Sequence, residues 1–489
     1  MKKKKYLHMV WVLFIFSIGC KSTQKTTQNS DNKQDWVRYL FQNYMGEKPS
    51  ASFAVIKDGK LKDCQSFGYA DLENRILANC ETNYRLASVT KQFTAVGVLI
   101  LINQGKLKYN TTLTEILSEF PDYGKEITVK DLLAHRSGLQ DYSKLYQKGS
   151  EKQLVDKDVL NLLMEQDSLL FPANSKYKYS NSGYAILALI IERVSGKTFK
   201  DFMDNEIFEK IGMTNSTVYL NDIHIKNRAF GYKFNDTIFE NKDQNTWSAI
   251  QGDGGIYSSV TDYVHWDRSL YDGTLITTAL KNDAFSNWTE NGKTEEKGYG
   301  FGWQIDIRND RKLLMHGGST TGFRNYVVRI PSEKISVVIY TNTADYSIGE
   351  LKRKALFLAS LYSDGKLPMP IDVIMEREID VNGSDNIEEY YNTLIAVQNK
   401  YETNTTDLVT LGFRYLNQKQ NTNCLNVFTF IKEQFPNYFG GYFGLAQYYR
   451  TNGNNEKAIE YFKKVPGLAT GKNQRLIDYS KKMIEQLSE

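Results

Sequence analysis

Arg85-Leu-Ala-Ser88-Val-Thr-Lys91-Gln-Phe-Thr-Ala-Val-Gly-Val-Leu-Ile-Leu-Ile102 is a run whose second half is too apolar to be anything but a buried helix, which its pattern predicts to end near Gly105. Ser88 and Lys91, three residues apart at the head of that helix, fall on one face. The hydroxyl sits at the positive end of the helix dipole with an amine able to take its proton, which pairs a nucleophile with a base. The same Ser-x-x-Lys spacing occurs at Ser22, Ser30, Ser175 and Ser363, all in polar or turn-like sequence. The competing structural interpretation makes Ser88 an N-cap and Lys91 a solvated first-turn charge.

Two later motifs favour chemistry. In Tyr179-Ser180-Asn181, on a loop before the amphipathic run Ser182–Gly196, a phenol can move protons and an amide can bind a substrate carbonyl. In His316-Gly317-Gly318-Ser319, before the strand-like Tyr326–Ile330, one of only five histidines stands beside a glycine pair. Glycine there would let a substrate backbone approach, and main-chain N–H groups could stabilise an oxyanion. A core tyrosine with an Asx turn and a surface-turn histidine are the plain alternatives.

Taken in order, Ser-x-x-Lys, Tyr-x-Asn and His-x-Gly resemble the penicillin-recognising serine hydrolases: class C β-lactamases, D-Ala-D-Ala peptidases and esterase relatives. Asp58-Gly-Lys60, Gly68–Asp71, Ile127–Leu139, Gly254-Gly255 and Tyr299–Trp303 are similar to further landmarks of that family. The resemblance implies an α/β fold in which an antiparallel sheet flanked by helices joins a mostly helical subdomain, with the site between them. It implies Ser88 as acylated nucleophile, Lys91 as general base and Tyr179 as proton shuttle to the leaving group. Asn181, His316, Gly318 and Ser319 would bind substrate, and the N–H groups of Ser88 and Ser319 would form the oxyanion hole. His316 replaces the lysine usual in β-lactamases, and a histidine is charged only part of the time near neutrality. That tilts the expected substrate from β-lactam toward ester or D-amino-acid peptide. Pro172-Ala173 also departs from the family's usual Pro-Gly.

The remainder bounds this reading. At 489 residues, at least two domains are expected. Lys+Arg 61 against Asp+Glu 57 leaves a net +4 with no basic stripe beyond the extreme N-terminus, so nucleic acid is not an expected partner. Residues 1–20, four lysines and a short apolar core ending Ser17-Ile-Gly-Cys20, are similar to a lipoprotein signal peptide, with lipid expected at Cys20 as a membrane anchor in a bacterial cell envelope. Residues 21–34 read as a disordered tether. Cys64 and Cys80 could be a disulfide or two thiols. No metal-ligand spacing occurs, and neither metal nor cofactor is expected. The hydrolase domain is assigned to 35–365 and a linker to 366–386. Over 387–489, Leu411-Gly412, Tyr415, Cys424 and Phe428 align at a period of 34 with Leu445-Ala446, Tyr449, Ala458 and Phe462. This all-α repeat domain resembles tetratricopeptide hairpins that would dock on the hydrolase or on a protein partner. The function expected is an exported, anchored serine hydrolase acting on a small-molecule or peptide substrate. The alternative is a penicillin-binding sensor or repeat scaffold that does not turn over.

Overall fold

The computed structural model describes residues 24–488 except 147–151, 291, 398–399 and 470–472, with side chains from residue 33. The signal-peptide segment and Cys20 lie outside the described residues. Two compact units are distinguished, one up to Gln42 and one from Asn43 on. The first contains helix α1 (Gln24–Phe41). Residues 24–34, expected to be a tether, are therefore helical. No proline or glycine interrupts this stretch, so helix propagates upstream from the aromatic turn at Trp36 and Tyr39.

The second unit is built on one antiparallel sheet. Its strands are β1 (Ala51–Lys57), β2 (Lys60–Phe67), β3 (Gly298–Tyr299), β4 (Gln304–Arg308), β5 (Arg311–Thr320), β6 (Phe323–Ile330) and β7 (Ile335–Thr341), ordered β3-β4-β5-β6-β7-β1-β2. A meander from the later half of the chain is thus completed by the first hairpin, Ala51 lying opposite Thr341. Alternate residues Ala54, Ile56, Val327, Val338 and Tyr340 join the main core, and the intervening Phe53, Val55, Val328, Val337 and Ile339 are buried too. With a two-residue side-chain period, both faces of the sheet are covered. Hydrophobic strands of this kind need helices on each side, and the sequence supplies them.

Helix α2 (Thr90–Asn103) is buried along almost its whole length and ends, as expected, just before Gly105, whose φ is 70°. It packs on α3 (Asn181–Ser195) within the helical subdomain. Helix α4 (Val260–Asp272) lies against β1, β2 and β7. Its buried Asp267 accepts hydrogen bonds from Arg329 Nε at 2.7 Å and Ser336 Oγ at 2.6 Å, tying it to β6 and β7. Helix α5 (Ile348–Leu361) packs on β6 and β7. Cys64 and Cys80 are joined by a disulfide, which decides between the two states left open by sequence.

The segment 366–386 is not a linker. Helix α6 (Ile371–Asn382) fills most of it, with Ile371, Met375 and Ile379 buried. Pro370, which suggested a break, occupies the N-cap, a helix end where proline's missing N–H costs little. Buried Arg353 of α5 donates Nε to Asp372 and Nη2 to Glu376, the latter at 2.9 Å, and Arg414 also pairs with Glu376. After α7 (Ile387–Ile395) come α8 (Thr405–Asn417), α9 (Asn421–Gln434), α10 (Phe439–Thr451), α11 (Asn455–Leu468) and α12 (Gln474–Ser488). The starts of α8 and α10, and of α9 and α11, are each about 34 residues apart, as the repeat period requires. A Cβ at Gly444 would lie 2.1 Å from the Phe428 ring, so only glycine lets α10 come this close to α9. Arg308 of β4 bonds Asp407 of α8 at 3.2 Å, so the helical region docks on the sheet domain. No helix among the described residues is long and apolar enough to cross a membrane.

Candidate active site

Ser88 lies in the 3-10 turn Ala87–Val89 that runs directly into α2, and it is the one partly exposed residue between Thr82 and Leu101. Lys91, one turn on, has 0% exposure. Its Nζ lies 3.3 Å from Ser88 Oγ, 2.9 Å from Asn181 Oδ1 and 2.8 Å from the main-chain oxygen of Asp253. The solvated first-turn lysine of the competing interpretation is thereby excluded. Burial lowers the Lys91 pKa to about 8, against the pull of Asp253 and Asp141. A neutral amine has two N–H bonds and one lone pair. Two carbonyl oxygens can only accept, so they take both N–H bonds, and the lone pair is left for the Ser88 hydroxyl.

Tyr179 precedes α3, and Ser180 caps that helix by accepting the Gly183 N–H at 3.2 Å. Asn181 is therefore the first helical residue, not a loop residue. The Tyr179 ring centroid is 5.1 Å from Lys91 Nζ, and its hydroxyl is buried without a hydrogen bond of normal geometry among the described residues. Burial pushes its pKa well above the usual value, the neighbouring Ser88 hydroxyl offsetting part of this. The phenol is held protonated, contrary to the phenolate character that a proton acceptor would need.

His316 and Gly318 lie on one face of β5, with Gly317 turned to the other, toward Ile348 of α5. A Cβ at Gly318 would sit 2.1 Å from the main-chain oxygen of Leu86. The close approach that glycine permits is thus to the protein's own Leu86–Ser88 segment, not to a substrate backbone, and it sets Ser319 beside Ser88. His316 is 1% exposed, and both ring nitrogens are engaged. Nδ1 is 2.8 Å from the Gly317 carbonyl and must donate, so Nε2 accepts the Tyr299 hydroxyl at 2.9 Å. Burial, helped by the Lys91 charge, lowers its pKa to about 3. His316 was expected to offer substrate a hydrogen bond, but neither nitrogen is left for one. It is a neutral support for β5 and Tyr299.

Ser88, Asn181 and Ser319 line a cavity of about 240 Å³ together with Tyr142, Trp247 and Asp253. Sequence reasoning missed the last three. Tyr142 donates to Asp253 Oδ2 at 2.8 Å, and its ring lies tilted against Trp247 with centroids 5.3 Å apart. The only signal for Asp253 was its position before the Gly254-Gly255 pair.

A partly exposed serine and a buried, easily neutralised lysine at the head of a buried helix, packed beside a sheet that its own first hairpin completes, define the penicillin-recognising class of serine hydrolases. The chain belongs to the Beta-lactamase family, whose model matches residues 37–360. It is 32% identical over 330 residues to penicillin-binding protein 4* of Bacillus subtilis (strain 168), covering 64% of this chain and 72% of that one. It is 25% identical over 304 residues to protein flp of Staphylococcus aureus (strain MRSA252), covering 61% of this chain and only 60% of that relative. The fold matches the octameric penicillin-binding protein homologue from Pyrococcus abyssi with a TM-score of 0.60 at 23% identity, covering 72% of this chain and 81% of that one. It matches D-amino acid amidase from Ochrobactrum anthropi SV3 with a TM-score of 0.56 at 22% identity, covering 64% and 91%.

Proposed function

We propose that this protein hydrolyses an ester or an amide of the D-amino-acid type through an acyl-enzyme on Ser88. The observation that carries the reading is Lys91, fully buried, with its lone pair left for a hydroxyl 3.3 Å away. Neutral Lys91 takes the Ser88 proton as Oγ bonds to the carbonyl carbon. The N–H groups of Ser88 and Ser319 receive the developing oxyanion. Tyr179, a protonated phenol, gives its proton to the leaving group and is reprotonated from Lys91. Water then cleaves the acyl bond by the reverse path. Asn181, fixed by Lys91, orients the acyl portion. Because His316 is neutral and occupied, no fixed cation stands at its position for a substrate carboxylate, which favours neutral esters and amides over β-lactams.

The test is intact-mass spectrometry with a fluorophosphonate, followed by a turnover time course with a p-nitrophenyl ester. A Ser88 adduct and steady turnover are expected, both lost in Ser88→Ala. Undiminished turnover in that variant would remove Ser88 from the chemistry, and a permanent ester-derived adduct would indicate the non-turnover sensor.

Export and anchoring through a lipid on Cys20 in the bacterial cell envelope belong to the same proposal, supported by the Lys-rich, apolar Met1–Cys20 sequence. Cys20→Ser should move the protein out of the membrane fraction. The helices α8–α11 are proposed as tetratricopeptide-type hairpins with a surface for a protein partner.

A further inference from the structure

Two residues of the proposed machinery, Tyr179 and Asn181, flank Ser180, and the main chain through them is gripped by one histidine that the mechanism does not use. His135 follows the short helix Val129–Leu133 and has φ of 57°, in the left-handed region where histidine, like asparagine and aspartate, is enriched among L-residues. Its carbonyl accepts the Lys178 N–H at 2.9 Å. Its ring Nδ1 accepts the Ser180 N–H at 3.1 Å. The ring is buried, with centroids 4.3 Å from Tyr179, 4.6 Å from Tyr299 and 4.9 Å from Tyr184. A backbone amide can only donate, so Nδ1 is unprotonated and the proton of the neutral ring is on Nε2. Burial, with the nearby Lys91 charge, depresses the His135 pKa well below the usual value and keeps the ring neutral.

We propose that His135 is a positioning residue whose Nδ1 holds the Ser180 amide, and through it sets Tyr179 and Asn181 against Lys91. The proposal rests on the roles given to Tyr179 and Asn181 above. The geometry separates this role from space-filling. A residue chosen only for bulk needs no acceptor, whereas two hydrogen bonds from alternate residues, Lys178 and Ser180, end here on one residue. With this φ, both the carbonyl and the ring of His135 meet the same strand of chain. Without the ring bond the buried Ser180 N–H has no acceptor. The Tyr179 peptide is then free to rotate, and Asn181 shifts off Lys91 Nζ, which it now meets at 2.9 Å.

The experiment compares His135→Asn with His135→Leu. Asparagine tolerates a positive φ and carries an acceptor Oδ1 near the place of Nδ1, while leucine keeps the bulk and removes the acceptor. With full-length, folded protein, His135→Asn should retain kcat for a p-nitrophenyl ester within about threefold. His135→Leu should lose at least tenfold in kcat with little change in KM. Equal losses in both folded variants, or none in the leucine variant, would overturn the proposal. Should the variants fail to fold, ¹⁵N NMR of the wild-type histidine rings still decides. An Nε2–H tautomer of His135 that persists to pH 5 is expected, and an Nδ1–H tautomer would overturn it. A wild-type protein that turns over no ester, with the Nε2–H tautomer intact, would instead count against the hydrolase reading and leave the hydrogen bond standing.

Discussion

A lysine that loses its proton near neutrality makes the rate of acylation depend on pH in a definite sense. With the Lys91 pKa near 8, the acylation rate should climb as pH rises through about 8 and level off above it. Single-turnover acylation from pH 6 to 10 checks this, and a rate flat across that range would place the base elsewhere. Lys91→Ala should cost on the order of 10²–10⁴ in the same rate. His316 has the opposite kind of signature, in stability. Its folded pKa near 3 lies below the unfolded value near 6.5, so the unfolded chain binds a proton that the native state refuses. Stability is therefore undiminished above about pH 6.5 and falls as pH drops from there toward 3, by a few kcal/mol at about 1.4 per pKa unit. Urea midpoints at pH 7.5 and 4.5 should differ less in His316→Asn than in wild type; an unchanged difference would mean that this ring is not what titrates. Ser88 and Lys91 were legible as a pair because helical spacing puts them on one face, and Tyr179 and Asn181 because the Tyr-x-Asn motif resembles that of the family. Asp253 was not, since it meets Lys91 through a main-chain carbonyl, which every residue carries. The state of His316 was hidden for a related reason: it depends on Tyr299, 17 residues away in the chain and adjacent only once β3 and β5 share a sheet.

Among the elements, α6 is where sequence and structure diverge most. Two prolines before it and polar residues after it read as a spacer, and what makes it part of the fold is charge: Asp372 and Glu376 point inward because Arg353 and Arg414 are there to meet them. Local sequence carries no sign of a partner 19 residues upstream. Removing one partner from a buried ion cluster leaves uncompensated charge, so Arg353→Ala should destabilise the protein by about 3–5 kcal/mol in equilibrium unfolding. A loss below 1 kcal/mol would show the cluster to be solvated. The repeat helices, by contrast, announced their period of 34, because the small and aromatic residues that meet at helix crossings recur at that spacing. Gly444→Val should cost about 1–3 kcal/mol by driving side-chain atoms into Phe428.

At the scale of the molecule, the hydrolase and the C-terminal helices belong to one compact unit. A chain stopped after Gly365 should be recovered poorly or melt well below the full-length protein, because α5 would lose the carboxylates that neutralise Arg353. A soluble truncation with unchanged Tm would restore the idea of a free-standing domain. The disulfide from Cys64 to Cys80 closes a loop of 16 residues, worth about 3 kcal/mol, but it staples only the first hairpin region. The sheet order has a different reach. β1 pairs with β7, so Ala51 waits for Thr341, and Ser88 waits for Ser319 on a strand that has no neighbours until the meander is made. Contacts separated by nearly 300 residues form late and slowly, since a long loop must close before any pairing rewards it. During synthesis, then, the proposed nucleophile Ser88 is translated long before its site is complete. On refolding from urea, helical circular dichroism should return first and fluorophosphonate reactivity last, the lag between them timing the closure of the sheet.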